Sequence, residues 1–170
     1  YEEMAGAVDD ADEWAEIRER DWFRSAQATA EEQEFFHWEL EYPEVFFSED
    51  GKKRDDSGFD AVVGNPPWVN IGRTAGNEDT VNYVNSVFQT AEYQVDLYTL
   101  FLEQSVDIVG RNKYIGMIVP DPWLNNYRTP KIRELLLVQN NPIKLISTPV
   151  SAFPEVNAEH LIGIFRHEQD

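Results

Sequence analysis

The spacing of apolar residues changes near residue 58, and two styles of element follow from it. Up to about residue 35 the period is helical: Trp14, Ile17 and Trp22 share one side of an acidic helix, with Asp10 and Glu13 spaced as a capping pair. FFHWELEYPEVFF (35–47) is aromatic-rich and interrupted by Pro43, which predicts an irregular, partly buried segment. SEDGKKRDDSG (48–58) predicts a charged turn. From Phe59 onward, strands and helices alternate. FDAVVG (59–64) is a short apolar run of the kind expected for a strand buried on both faces. Residues 69–94 carry Gly72, Gly76 and four asparagines (Asn70, Asn77, Asn82, Asn85), predicting mostly loop. VDLYTLFLEQSVDIVG (95–110) predicts an amphipathic helix stopped by Gly110. KYIGMIV (113–119) predicts a second buried strand closed by Pro120 and Pro122. Thr129 and Pro130 open a helix with Ile132, Leu135 and Leu136 inward. IKLIST (143–148) and HLIGIF (160–165) predict the last two strands. The alternation implies an α/β fold with a mostly parallel sheet. No helical run separates the last two strands, so the final one is expected to run antiparallel.

Composition narrows the function classes. There is no cysteine, which excludes a disulfide framework and any thiolate metal site. His37, His160 and His167 are not spaced as a zinc motif, so they are read as surface or satisfied core residues and no metal is expected. No apolar run reaches the roughly 18 residues that would span a bilayer, and no signal peptide opens the chain. A cytoplasmic protein without a membrane partner is expected. Thirty-two acids against 14 bases give −18, which disfavours a polyanionic partner over most of the surface. Residues 1–60 hold 20 acids and 6 bases. Between Arg111 and Lys144 the sign reverses, with six bases (Arg111, Lys113, Arg128, Lys131, Arg133, Lys144) against Asp121 and Glu134. Abundant acid with only 5 lysines suits a halophilic habitat, where salt screens surface charge.

The chemistry is expected where the first sheet strand ends, because open α/β sheets bind ligands at the carboxyl ends of their strands. Asn65-Pro66-Pro67-Trp68 follows FDAVVG directly. Two consecutive prolines remove two backbone donors and fix φ, leaving a rigid turn with free carbonyls. The Asn65 amide oxygen and a neighbouring carbonyl can both accept hydrogen bonds from one amino group. That arrangement withdraws the nitrogen lone pair from conjugation and makes the nitrogen a better nucleophile. Trp68 offers a flat face to a heteroaromatic ring. The same four residues also suit a tight turn with a core tryptophan.

FDAVVGNPPW resembles the catalytic motif of the amino-group DNA methyltransferases, in which Asp, Asn or Ser precedes Pro-Pro and an aromatic. With asparagine first, the chain is similar to the N6-adenine enzymes of the gamma arrangement, including fused type II restriction–modification enzymes. FHWELEYPEVF, DLYTLFLEQSVDIV, KYIGMIVPDPWL and AFPEVNAEHLIGIF follow the family's order, so that 35–167 are covered. The resemblance implies a partial class I (Rossmann-like) methyltransferase sheet, with an N-terminal helix added. It implies that Asn65 and the Pro66 carbonyl hold the target amino group, with Pro67 and Trp68 completing the catalytic motif. It further implies that Trp68 stacks on a base flipped out of double-stranded DNA and that Phe153 in SAFPEV meets that base from the other side. S-adenosylmethionine is the implied cofactor. Leu97 and Phe101 fall where the family walls its adenine, although apolar helix positions more often belong to a core.

The chain departs from the family in one respect: none of its nine glycines forms a G-x-G, so the usual cofactor turn is absent. It also opens on Tyr1. An acidic helical segment (1–34) followed by the C-terminal, catalytic-motif half of the catalytic domain (35–170) is therefore expected, inactive alone and acting on DNA as part of a full-length parent. Without the preceding strands, 59–64 would lie at an exposed sheet edge, which invites self-association. A related protein-glutamine or RNA N-methyltransferase, or a non-catalytic interaction fragment, is the alternative.

Overall fold

The computed structural model describes residues 11–34, 36–73, 78–92, 95–149 and 159–168. Asp10 of the expected capping pair and Phe153 lie outside them. The chain divides into two compact units, Tyr1–Glu41 and Tyr42–Asp170.

In the first unit the helical period yields two helices rather than one, α1 (Ala11–Arg18) and α2 (Asp21–Gln33). The break is at Arg20, whose backbone is extended as it precedes Asp21 in the first turn of α2. Ile17 is buried, and Phe23 meets Trp14 and Trp22 edge to face at 5.8 and 5.6 Å. One helical turn, α3 (Trp38–Glu41), ends the unit.

The second unit opens with another single turn, α4 (Pro43–Phe46), so the aromatic segment is less irregular than its composition suggests. Phe46 and Tyr42 pack edge to face on Phe59, the first residue of β1 (Phe59–Gly64). Next come α5 (Glu78–Val87), α6 (Leu97–Ile108), β2 (Val109–Pro120), α7 (Pro130–Leu137), β3 (Asn141–Thr148) and β4 (His160–Arg166). The sheet order is β1-β2-β4-β3. β1 and β2 pair in parallel, and β4 is antiparallel to both its neighbours. Three strands thus share one direction, and the antiparallel last strand inserts between β2 and β3 instead of adding at an edge.

β2 carries the core. Ile115, Met117 and Val119 alternate onto one buried face, joined by Leu161 and Phe165 of β4. α6 covers them with Tyr98, Leu102 and Val106, and α7 with Ile132, Leu135 and Leu136. Full burial of one such side chain stabilises by about 1.5–3 kcal/mol. Asn140, buried after α7, donates its amide to Leu135 O at 2.9 Å and accepts from Glu168 N at 3.3 Å. It fastens the α7–β3 turn to the end of β4.

Three expectations are corrected. β1 is not buried on both faces: it is an edge strand, and Val63 is 81% exposed. The stretch 69–94 is not mostly loop, because α5 forms there. Val81, Val84 and Phe88 recur at helical spacing and pack with Ile71, Val95 and Leu100, so tertiary burial overrides asparagine's weak propensity. Gly110 does not stop α6. The helix passes straight into β2 through Val109 in extended backbone, and Gly110 lies where the Gly58 backbone crosses it.

That crossing yields a stability prediction. A Cβ on Gly58, at φ +113, would come within 2.5 Å of Gly110 N, whereas one on Gly51, at φ +77, meets nothing within 4 Å. Gly51→Ala should cost about 1 kcal/mol, the left-handed backbone alone. Gly58→Ala should cost at least about 2 kcal/mol, because the backbone must also move. Urea denaturation of both variants measures the difference.

Candidate active site

β1 ends three residues before β2 does, so the segment after β1 runs on beside the end of β2. Gly64, the last residue of β1, lies opposite Met117, and Pro120 at the end of β2 lies opposite His160 at the start of β4. Asn65-Pro66-Pro67-Trp68 leaves β1 here. Asn65 and Pro67 are exposed, Pro66 is buried and Trp68 is half-buried. The Trp68 ring lies on the imidazole of His160, centroids 4.7 Å apart and planes 39° apart. His160 is fully buried. The tryptophan therefore has a fixed backing, while the asparagine amide remains open to a ligand.

Beside Trp68 is a cavity of about 240 Å³, lined also by Glu92, Asp96, Tyr98, Pro120 and Trp123. Burial first, then the carboxylates of Asp96 and Asp121, push the Tyr98 phenol up, so it stays a hydrogen-bond donor at neutral pH. The Trp123 indole N–H is buried and meets no partner among the described residues. Two donors thus sit among carboxylate acceptors. The loop under the cavity is tied down by Arg133, whose Nη1 donates to the carbonyls of Trp123 and Asn126, both at 2.6 Å. Glu92 accepts from Lys131 N at 2.9 Å and thereby caps the first turn of α7.

The chain leaving Trp68 is pinned to the start of α6. Leu97 N donates to Val69 O at 2.9 Å, Ile71 N to Val95 O at 3.0 Å, and Asn70 Nδ2 to Asp96 Oδ1 at 3.1 Å. This joins Leu97 to the Asn65–Trp68 turn. Leu97 packs on the small cluster around Val84, and Phe101, one turn later, is 46% exposed, so it is not a core residue. Reading the sequence missed Asn70, Asp96, Tyr98, Trp123 and His160. Of these, Trp123 was recoverable: it follows the prolines that end a buried strand, at the level where a site is expected.

The family model of the Eco57I restriction-modification methylase matches residues 5–153. The chain belongs to this family. It is 30% identical over 92 residues to the type II restriction enzyme and methyltransferase RM.Eco57I of Escherichia coli, covering 52% of this chain and 9% of that protein. It is 25% identical over 129 residues to a provisionally described type II restriction enzyme and methyltransferase of Methanocaldococcus jannaschii, covering 76% and 10%. The chain thus spans about a tenth of the length of the curated relatives it matches. Among solved structures, a provisionally described class I S-adenosylmethionine-dependent methyltransferase of Listeria monocytogenes superposes with a TM-score of 0.51 at 16% identity, over 69% of this chain and 34% of that one. The family member described here therefore has part of a class I methyltransferase sheet.

At the opposite end of β2 a cleft of about 500 Å³ is lined by Lys53, Asp107, Arg111 and His167 among others. Burial, then the Glu103 carboxylate, raises Asp107. Burial, then Arg111, lowers His167, whose Nδ1 is 3.1 Å from Asn140 Oδ1. Below its ordinary value of about 6.5 the unfolded histidine takes up a proton that the folded one refuses. Stability should therefore fall as pH drops from above 6.5 through the lowered folded value. Urea midpoints at pH 7.5, 6.5 and 5.5 should show this decline in the wild type and a flatter one in His167→Gln.

Proposed function

We propose that the chain is the catalytic-motif half of a restriction–modification DNA methyltransferase that methylates the N6 amino group of adenine flipped out of the duplex. The observation that carries this reading is the Asn65-Pro66-Pro67-Trp68 turn at the carboxyl end of a parallel strand, its asparagine exposed and its tryptophan backed by a buried ring. Family membership and the class I sheet support it. The acidic segment 1–34 lies outside the catalytic part, 35–170.

In this reading Asn65 Oδ1 and the Pro66 carbonyl accept the two hydrogens of the adenine amino group. They draw its lone pair out of the ring, and the proton lost on transfer leaves to solvent. Trp68 stacks on the extruded base, with Phe153 as its second wall. Stacking of about 1–3 kcal/mol per base offsets part of the cost of flipping. S-adenosylmethionine fits one part of the site: Phe101 is an exposed aromatic that can face its adenine, next to Leu97 on the same helix. When bound, it supplies the electrophilic methyl group. Its glycine-rich turn has no counterpart among the nine glycines of this sequence. DNA can approach a chain of −18 only where the sign is locally favourable. Arg128 and Lys131, of the basic stretch 111–144, are exposed beside Asn126 and Thr129, which line the Trp68 cavity.

Two measurements test the reading. In the intact protein, Asn65→Ala should abolish single-turnover transfer to adenine and leave gel-shift affinity nearly unchanged, because phosphate contacts supply most of the affinity. Trp68→Ala should slow transfer about tenfold to a hundredfold, from about 1–3 kcal/mol of lost stacking. An Asn65→Ala protein that folds and keeps more than about a tenth of the wild-type rate would overturn the assignment. The 170-residue chain alone, given labelled cofactor and mixed-sequence DNA, should incorporate no label.

A further inference from the structure

An aspartate at the N-cap of a helix ordinarily turns its carboxylate onto the free N–H groups of its own first turn. Asp96 holds the N-cap position of α6 and makes no such bond. Its Oδ1 instead accepts from Asn70 Nδ2 at 3.1 Å, two residues beyond Trp68. The first N–H of α6, that of Leu97, goes to Val69 O at 2.9 Å, and Val95 O accepts from Ile71 N at 3.0 Å. Asp96 O takes the Thr99 hydroxyl at 2.8 Å. The helix end is thus capped by the segment leaving the Asn65–Trp68 turn, and the cap side chain is spent on holding that segment.

α6 is anchored independently. Leu102 and Val106 are in the main core, and Glu103, buried, accepts from Gln89 N and Thr90 N at 2.9 and 2.8 Å. On its β1 side the turn is held to the sheet by the pairing of β1 with β2 and by Val62 and Trp68 packed against the main core. The short bridge is what joins the segment leaving the turn directly to the start of α6.

We propose that Asn70 and Asp96 form a clamp of positioning residues that fixes the Asn65–Trp68 turn to the first turn of α6, holding the amino-group acceptors and the Leu97–Phe101 wall as one body. This rests on the function proposed above. Transfer in line needs the acceptor nitrogen and the methyl donor aligned, and a misplacement of about 1 Å can cost about a hundredfold in rate. The clamp sets that alignment without touching either reactant.

The test uses Asn70→Ala, Asp96→Ala, Asp96→Asn and the Asn70→Ala/Asp96→Ala double variant in the intact protein, with two readouts. Hydrogen exchange followed by mass spectrometry reads the clamp directly. Peptides containing Ile71 and Leu97 should exchange at least about tenfold faster in both alanine variants, with peptides of β2 unchanged as the folding control. Single-turnover transfer should fall about tenfold or more, while DNA and cofactor affinities stay within about twofold. Asp96→Asn keeps the acceptor oxygen and should leave exchange at Ile71 and Leu97 at the wild-type rate. The double variant should be no worse than the weaker single variant, because either change already breaks the pair. Unchanged exchange at Ile71 and Leu97 would overturn the clamp. Faster exchange with transfer within about twofold of wild type would overturn its positioning role, as would losses that multiply in the double variant. A wild-type protein that methylates no adenine would overturn the functional reading and the positioning role with it, whatever the exchange data show.

Discussion

The pairing of β2 with a parallel strand on one side and an antiparallel strand on the other is the constraint on which the candidate site depends. With Gly64 opposite Met117 and Pro120 opposite His160, β1 ends three residues short of the level at which β2 ends and β4 begins. The turn after β1, the proline-rich turn after β2 and the first residue of β4 then have to share space. Trp68 on His160 is the contact that results, and the cavity with Tyr98 and Trp123 is what remains beside it. A slip of one residue between β2 and β4 would carry His160 to the opposite face of the sheet. Trp68 would then lose its backing.

The loops at that level are held by polar groups as well as by apolar packing. Glu103 receives two backbone N–H groups after α5, Glu92 caps α7, Arg133 gathers two carbonyls under Trp123, and Asn70 meets Asp96. Each satisfies backbone or amide groups that would otherwise be costly to leave without water, by about 1–3 kcal/mol apiece. A site made this way is rigid yet polar, and it can present donors and acceptors to a heteroaromatic ring without first collapsing onto itself. The acidic excess lies largely in residues 1–60, and the longer stretch of reversed sign, 111–144, includes the turn that forms one rim of the cavity.

The elements themselves were legible along the chain. Four apolar runs became four strands within a few residues of their predicted limits, Thr129-Pro130 opened a helix with Ile132, Leu135 and Leu136 buried, and the last strand runs antiparallel. These elements depend on periodicity, proline geometry and the absence of a crossover helix, all of which act over short stretches of chain. The position of Asn65-Pro66-Pro67-Trp68 at a strand's carboxyl end was equally local, because the strand and the turn are contiguous.

What the sequence by itself did not determine is whatever depends on which strands become neighbours. The helix formed by an asparagine-rich stretch on Ile71, Val95 and Leu100 and Gly110 serving a backbone crossing are both decided by partners distant along the chain. So are the backing of Trp68 by His160 and the diversion of the Asp96 carboxylate to Asn70, whose partners lie 92 and 26 residues apart. Local chemistry chooses between helix, strand and turn by the groups within a few residues. The pairing of side chains across such separations is chosen by burial and by the need to satisfy buried polar groups, and those act only once the sheet has closed.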